Sequence, residues 1–151
     1  MEHNPVLLAE VLDGLRIRAD GIYLDGTFGR GGHSRELLAR LSAKGRLLAT
    51  DRAPEAIAEG ERLAEEDSRF CIVHADFARL GETLDAKGWS EVSGIGFDLG
   101  VSSPQVDSAE RGFSFQKDGP LDMRMNPESG RSGAQWAARA GESEIARVMR
   151  G

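Results

Sequence analysis

Residues 23–34 read YLDGTFGRGGHS, and this stretch decides the fold. A short apolar run, Ile22, Tyr23 and Leu24, ends at Asp25. Gly26, Gly29, Gly31 and Gly32 follow, and residues 33–41 (HSRELLARL) then place Leu37, Leu38 and Leu41 on one helical side. A glycine-rich turn between a strand and a helix lets backbone come close to part of a nucleotide. The segment therefore predicts the first strand and helix of a nucleotide-handling α/β fold.

The pattern repeats outward from there. Strand candidates lie at 22–25 (IYLD), 46–51 (RLLATD), 69–76 (RFCIVHAD) and 92–98 (VSGIGFD). Helix candidates lie between them, at 33–41, at 54–66 with Pro54 at the first helical position, and at 78–87 before Gly88. A further amphipathic helix is expected at 5–15, led by Pro5, with Leu7, Leu8, Val11, Leu12 and Leu15 on one face. Alternating strands and helices predict a parallel sheet with helices packed on its faces.

From residue 99 to 131 the alternation stops, in a run rich in Gly, Pro, Ser and charge. So long an irregular stretch is uncommon unless it is functional or disordered. Two short helices are expected after it, 132–140 with Ser132 as N-cap and Trp136 turned inward, and 143–150 from Ser143. Four strands make a short sheet for this architecture, so the chain reads as a piece of a longer one.

The chain has 151 residues, 40% of them apolar and 29% charged, as in an ordinary globular domain. Its net charge of −6 disfavours nucleic-acid binding when taken alone. Residues 53–67, however, supply −5 of that total, so one acidic helix dominates. No apolar run approaches the ~20 residues of a membrane span. The N-terminus lacks a basic region ahead of an apolar core, which argues against a signal peptide. The single cysteine, Cys71, reads as a small buried apolar residue, and His3, His33 and His74 have no zinc spacing. Trp89 and Trp136 read as packing residues. These features point to a cytoplasmic protein without membrane or metal.

Each strand candidate ends in an aspartate: Asp25, Asp51, Asp76 and Asp98. The carboxyl ends of parallel strands lie on one edge, where ligands bind at the switch in strand order. Such acids also cap helices and make turns, which accounts well for one or two of them. A carboxylate rim repels a pyrophosphate, and no Walker lysine follows the glycines. The dinucleotide fingerprint is incomplete, since Ser34 stands where its third glycine belongs. A cationic ligand rich in donors suits the rim better, and S-adenosylmethionine has a sulfonium, an ammonium, a ribose diol and an adenine amine. Asp51 has the spacing from the turn expected of a ribose-binding acid, a spacing that nicotinamide enzymes share.

The stretches HNPVLLAEVLDGL, GIYLDGTFGRGGHS, GRLLATDRAPEAI, DLGVSSPQVDSAERGFSF and KDGPLDMRM resemble the bacterial 16S ribosomal RNA (cytosine-N4)-methyltransferases, the MraW or RsmH family. The resemblance runs through nearly the whole chain, and its segment from Asp98 to Met125 is long and idiosyncratic. It implies an α/β, Rossmann-like class I methyltransferase fold, here incomplete. Residues 1–105 would be the N-terminal part of the methyltransferase domain, and residues 106–151 a loop and the start of a helical insertion. It implies S-adenosylmethionine as methyl donor. The acceptor would be the N4 amine of a cytidine in the decoding region of 16S rRNA, so the partner would be that RNA or the small ribosomal subunit. A homodimer is compatible with it.

Residue by residue, the resemblance makes Gly31, Gly32 and His33 the cofactor turn and gives Asp51 the ribose hydroxyls. Phe77 would lie against the adenine, and Asp98 and Gln105 near the methionine end and the base. Asp25 and Gly29 would support the turn. Ser103-Pro104-Gln105 matches the tetrad of many amino-methyltransferases only in degenerate form, so no catalytic group is assigned.

Residues 111–125 interleave Phe113 and Phe115 with Arg111, Lys117 and Arg124. They are expected to form a loop over cofactor and RNA base, against a plain reading with both rings in the core. Two rival readings are a nicotinamide oxidoreductase domain and a non-catalytic piece that binds the methyl donor or a partner. An exposed sheet edge, poor solubility and little activity are expected of the isolated chain.

Overall fold

Leu47 and Leu48 have no accessible surface and sit at the middle of a four-stranded parallel sheet. The computed structural model describes residues 7–150. The strands are β1 (Ile22–Asp25), β2 (Arg46–Asp51), β3 (Phe70–His74) and β4 (Gly94–Gly96), in the order β3-β2-β1-β4. The chain moves outward from β1 through β2 to β3 and then returns to pair β4 with the other side of β1. The switch in strand order thus falls between β1 and β4, beside the glycine turn.

The helices of this unit are α1 (Leu8–Leu15), α2 (Gly32–Leu38), α3 (Pro54–Glu66) and α4 (Leu80–Lys87). Burial follows the apolar periodicity. The larger core joins Leu12 of α1, Leu37 and Leu38 of α2 and Leu63 of α3 to Tyr23, Leu47 and Phe70 of the sheet. The opposite face packs Leu24 and Leu48 under Leu80, with Leu84 and Trp89 beside them. Burying a Leu side chain fully stabilises a fold by about 1.5–3 kcal/mol, so the central strands anchor the edge they present.

β1, β2 and α3 have the bounds expected from the sequence. β3 and β4 are shorter, and Asp76 and Asp98 each lie two residues past the strand end. After β4 the backbone N–H of Asp98 turns to the Thr27 hydroxyl, at 2.6 Å, and leaves the ladder. After β3, Asp76 caps a 3-10 turn over Phe77–Arg79 instead of extending the strand. The position expected for Pro5 lies outside the described residues. Cys71 is only half-buried, with its thiol pushed up by burial.

The chain divides into two compact units between Leu99 and Gly100. The second contains α5 (Ser103–Asp107), a 3-10 turn over Ala109–Arg111, α6 (Gly133–Ala137) and α7 (Glu142–Arg150). Ser132 caps α6, as expected, and its Oγ accepts from Gln135 N at 3.2 Å. The irregular segment between the helices is closed on itself. Met123 N donates to Arg111 O at 3.0 Å, and the Arg111 guanidinium donates to the carbonyls of Arg124 and Met125. Among the described residues, no helix is long and apolar enough to cross a membrane.

Candidate functional site

The turn after β1 is built by its own hydrogen bonds. Gly26 N donates to Gly96 O, Phe28 N to Thr50 O and Gly31 N to Phe28 O. Thr27 N donates to Asp25 Oδ1 at 3.1 Å, and Gly29 N to Asp51 Oδ2 at 2.8 Å. Five amides of the turn, those of Gly26, Thr27, Phe28, Gly29 and Gly31, are therefore committed within the protein.

Two glycines are required by close approach. Gly31 has φ of +76°, and a Cβ there would come within 2.6 Å of the Phe28 ring. At Gly26 a Cβ would meet the Phe97 ring at 2.2 Å. Phe28 in turn packs on Phe70 of β3, with ring centroids 5.5 Å apart. An aromatic in the middle of a polar, glycine-rich turn was the available sign of this anchor, and the sequence reading passed over it.

Asp25 is buried and accepts from the Ser34 hydroxyl at 2.6 Å. Burial holds its carboxyl above the ordinary carboxylate range, against the opposing pull of Ser34 and the Thr27 N–H. Asp25 thus ties the end of β1 to the first turn of α2 and, through Thr27, to the exit of β4. Asp51 binds three backbone groups: Gly29 N on one oxygen, and Arg52 N (2.7 Å) and Ala53 N (2.9 Å) on the other. Its carboxylate is half-buried at the rim and retains acceptor sites.

The outer acids are looser. Asp76 accepts from Ala78 N at 2.9 Å and faces the Arg52 guanidinium at 3.1 Å. The Asp98 side chain is exposed and its carboxylate has no partner among the described residues. Phe77 is exposed and meets Phe97 edge-on, with centroids 5.6 Å apart and planes at 71°. The sequence reading missed Phe97, which closes over Gly26 and props Phe77.

A cavity of about 130 Å³ opens at the β1–β4 switch. Asp25, His33 and Asp98 supply its polar wall, and Val11, Leu15, Leu24 and Leu37 its apolar wall. Pockets that enclose a whole small-molecule ligand hold roughly 300–1,000 Å³, so this one has room for only part of such a ligand. The fold thus brings Gly31, Gly32, His33, Asp51, Phe77 and Asp98 to the carboxyl edge of one sheet. Gln105 belongs to the second unit. It is buried there, and its Oε1 accepts from Ser102 N at 2.9 Å, capping α5. Among the described residues no cluster of His, Cys, Asp and Glu could hold a metal.

Phe115 is fully exposed, and Phe113 is half-buried, within the 111–125 loop. Arg124 is engaged by Asp122, with Nη2–Oδ2 at 2.6 Å, and the Lys117 ammonium bonds the Asp107 carbonyl.

Among solved structures, the chain is similar to a protein-L-isoaspartate O-methyltransferase (TM-score 0.53, 17% identity, covering 64% of this chain and 30% of that one). It is also similar to a Clostridium thermocellum protein described as an rRNA methylase (TM-score 0.54, 17% identity, 69% and 57%). Both likenesses concern the fold. Closer in sequence are proteins named ribosomal RNA small subunit methyltransferase H. The one from Nitrosococcus oceani is 58% identical over 98% of this chain and 47% of its own length. The one from Burkholderia vietnamiensis is 57% identical over 99% and 47%. The chain spans about half the length of these relatives. The family model described as the MraW methylase family matches residues 1–151. A glycine turn tied through Thr27 and Gly29 to the acids Asp25 and Asp51, at the switch point of a parallel sheet, is therefore found in a chain that belongs to the MraW methylase family.

Proposed function

We propose that this chain carries the S-adenosylmethionine site of an rRNA methyltransferase that modifies the N4 amine of a cytidine in 16S rRNA of the small ribosomal subunit. The observation that carries this reading is Asp51, which joins the glycine turn to the end of β2 while presenting a carboxylate at the rim. The donor chemistry fits the methyl donor. Carboxylates at Asp51 and Asp98 suit hydroxyl and ammonium groups and repel a pyrophosphate.

In this reading Gly31, Gly32 and His33 line the ligand, Asp51 accepts from the ribose diol, and Phe77 lies along the adenine. Asp98 stands at the cavity where the methionine end and the acceptor amine meet. S-adenosylmethionine supplies a methyl group on an electrophilic sulfonium. The protein contributes positioning, which is a large catalytic term for a weak nucleophile. The lone pair of a cytosine amine is delocalised into its ring. A carboxylate that accepts from the N–H groups, as Asp98 can, turns that pair toward the reacting carbon. The base is reached in an unstacked or extruded state.

The test is transfer of labelled methyl from S-adenosylmethionine to unmodified small-subunit rRNA, with mass spectrometry of the digested nucleosides. N4-methylcytidine supports the reading, and methyl on another atom overturns it. β4 is an edge strand in this chain, with Ile95 and Phe97 about half exposed. That edge favours a second reading, in which these residues bind the methyl donor and the acceptor machinery is completed elsewhere. Saturable binding without transfer supports that second reading.

A further inference from the structure

Residues 1–99 hold 12 Lys and Arg against 18 Asp and Glu, so this unit carries the whole net charge of −6. Its cations are not used evenly. Arg35, Arg40, Arg52, Arg62, Arg69 and Arg79 each have a carboxylate within 4 Å. Arg16, Arg18, Arg30, Lys44, Arg46 and Lys87 have none among the described residues. Arg30 lies on the glycine turn. The other five gather where the strands begin: Arg16 and Arg18 ahead of β1, Lys44 and Arg46 at the start of β2, and Lys87 on the last turn of α4 leading to β4.

This edge is ordered. Ser42 N donates to Ala19 O at 2.8 Å and joins the approaches to β1 and β2. The Arg18 guanidinium donates to Ser93 Oγ at 3.0 Å, across to the approach to β4. The Arg46 guanidinium is held by the carbonyls of Ala43 and Gly45. The acids nearby are Asp13 and Asp85 on the last turns of α1 and α4, Asp20, which the Ser42 hydroxyl engages, Asp67, which pairs with Arg69, and Glu91. The sheet therefore has acids on its carboxyl edge and, on its amino edge, five cations that none of the described carboxylates approaches within 4 Å. Strands of four to six residues set the edges roughly 13–20 Å apart at about 3.3 Å per residue.

An acidic body repels a polyanion over most of its surface. We infer that the amino edge of the sheet, around Arg16, Arg18 and Lys44, is a docking surface for the phosphate backbone of the RNA substrate, separate from the site on the carboxyl edge. The inference rests on the rRNA reading above. The edge grips a stretch of RNA other than the one presented to the rim, and it supplies affinity without sequence information.

The test is a salt series of binding constants for a small-subunit rRNA transcript. It compares wild type, an Arg16→Gln, Arg18→Gln, Lys44→Gln variant, and an Arg35→Gln, Arg40→Gln, Arg62→Gln variant. Both triple variants change net charge equally, but only the first removes unpaired edge cations. Each lost phosphate contact lowers the slope of log K against log salt by about 0.7–0.9. The edge variant is expected to lose about 2 in slope, and the control variant to keep the wild-type slope. An unchanged slope in the edge variant, or equal losses in both, overturns the inference while RNA binding by wild type keeps the rRNA reading standing. A wild-type chain that binds S-adenosylmethionine and no RNA overturns both.

Discussion

Asp25 and Asp51 close the two central strands, while Asp76 and Asp98 follow the two edge strands, and the protein holds the two pairs differently. The inner acids accept from Ser34, Thr27, Gly29, Arg52 and Ala53 and are built into the turn they support. The outer acids have one short turn to cap, at Asp76, or no side-chain partner among the described residues, at Asp98. Residues of one type at equivalent strand ends thus divide into supports built into the turn and looser carboxylates at the rim. The hydrogen bonds around them make that division.

Asp51 stands on both sides of it, so its loss should have the largest effect. Hydrogen bonds to a charged group contribute about 1.5–3 kcal/mol. Asp51→Ala is therefore expected to weaken S-adenosylmethionine binding by about 10- to 100-fold and to lower stability as well. Asp51→Asn should recover part of the stability and little of the affinity. Titration calorimetry and denaturant melts read the two separately. Equal losses in both measurements for both variants would collapse the distinction between support and ligand contact.

Asp98→Ala should weaken the same ligand and leave the denaturant midpoint in place, since its carboxylate supports nothing in the described structure. A clear loss of stability in this variant would move Asp98 into the supporting class.

Asp25 gives the comparison a pH signature. Its folded-state pKa is raised by burial, so between the unfolded value near 3.8 and the raised one the native state binds more protons than the unfolded state. Stability then falls as pH rises through that window. Asp25→Asn keeps an acceptor for Ser34 and carries no charge, so its stability relative to wild type should grow across the window and then level off. Melts at a series of pH values check this, and a relative stability that does not change with pH would place the ionisation elsewhere. Asp76→Ala should have the smallest effect, about 0.5–1 kcal/mol from the lost cap. Its ion pair with Arg52 is solvent-exposed and adds little.

The sequence was most legible where apolar runs meet glycine or proline. β1, β2 and α3 are such segments. It was less legible where a strand has a neighbour on one side only. Phe97 and Asp98 continue the alternation of β4, yet Thr27 takes the N–H that would extend the ladder. The 99–131 stretch concealed α5 because a five-residue helix shows no periodicity. Its signal was the capping pair Ser102 and Gln105, three residues apart. Of the candidate site, the acids and the turn were readable as a set. The separation of Asp25 and Asp51 from Asp98 was not, because it depends on Ser34, Thr27 and the backbone of Ala53. The amino-edge cations were invisible for a similar reason: they are scattered in sequence and assemble only when the strands align.

The central claim is that the carboxyl edge of this sheet holds a methyl donor and not a dinucleotide. Calorimetric titration of the folded chain with S-adenosylmethionine, and in parallel with NADH, tests it most directly. The account predicts saturable binding of S-adenosylmethionine at one site and no heat with NADH. Binding of NADH, or a folded chain that takes up neither ligand, would contradict it.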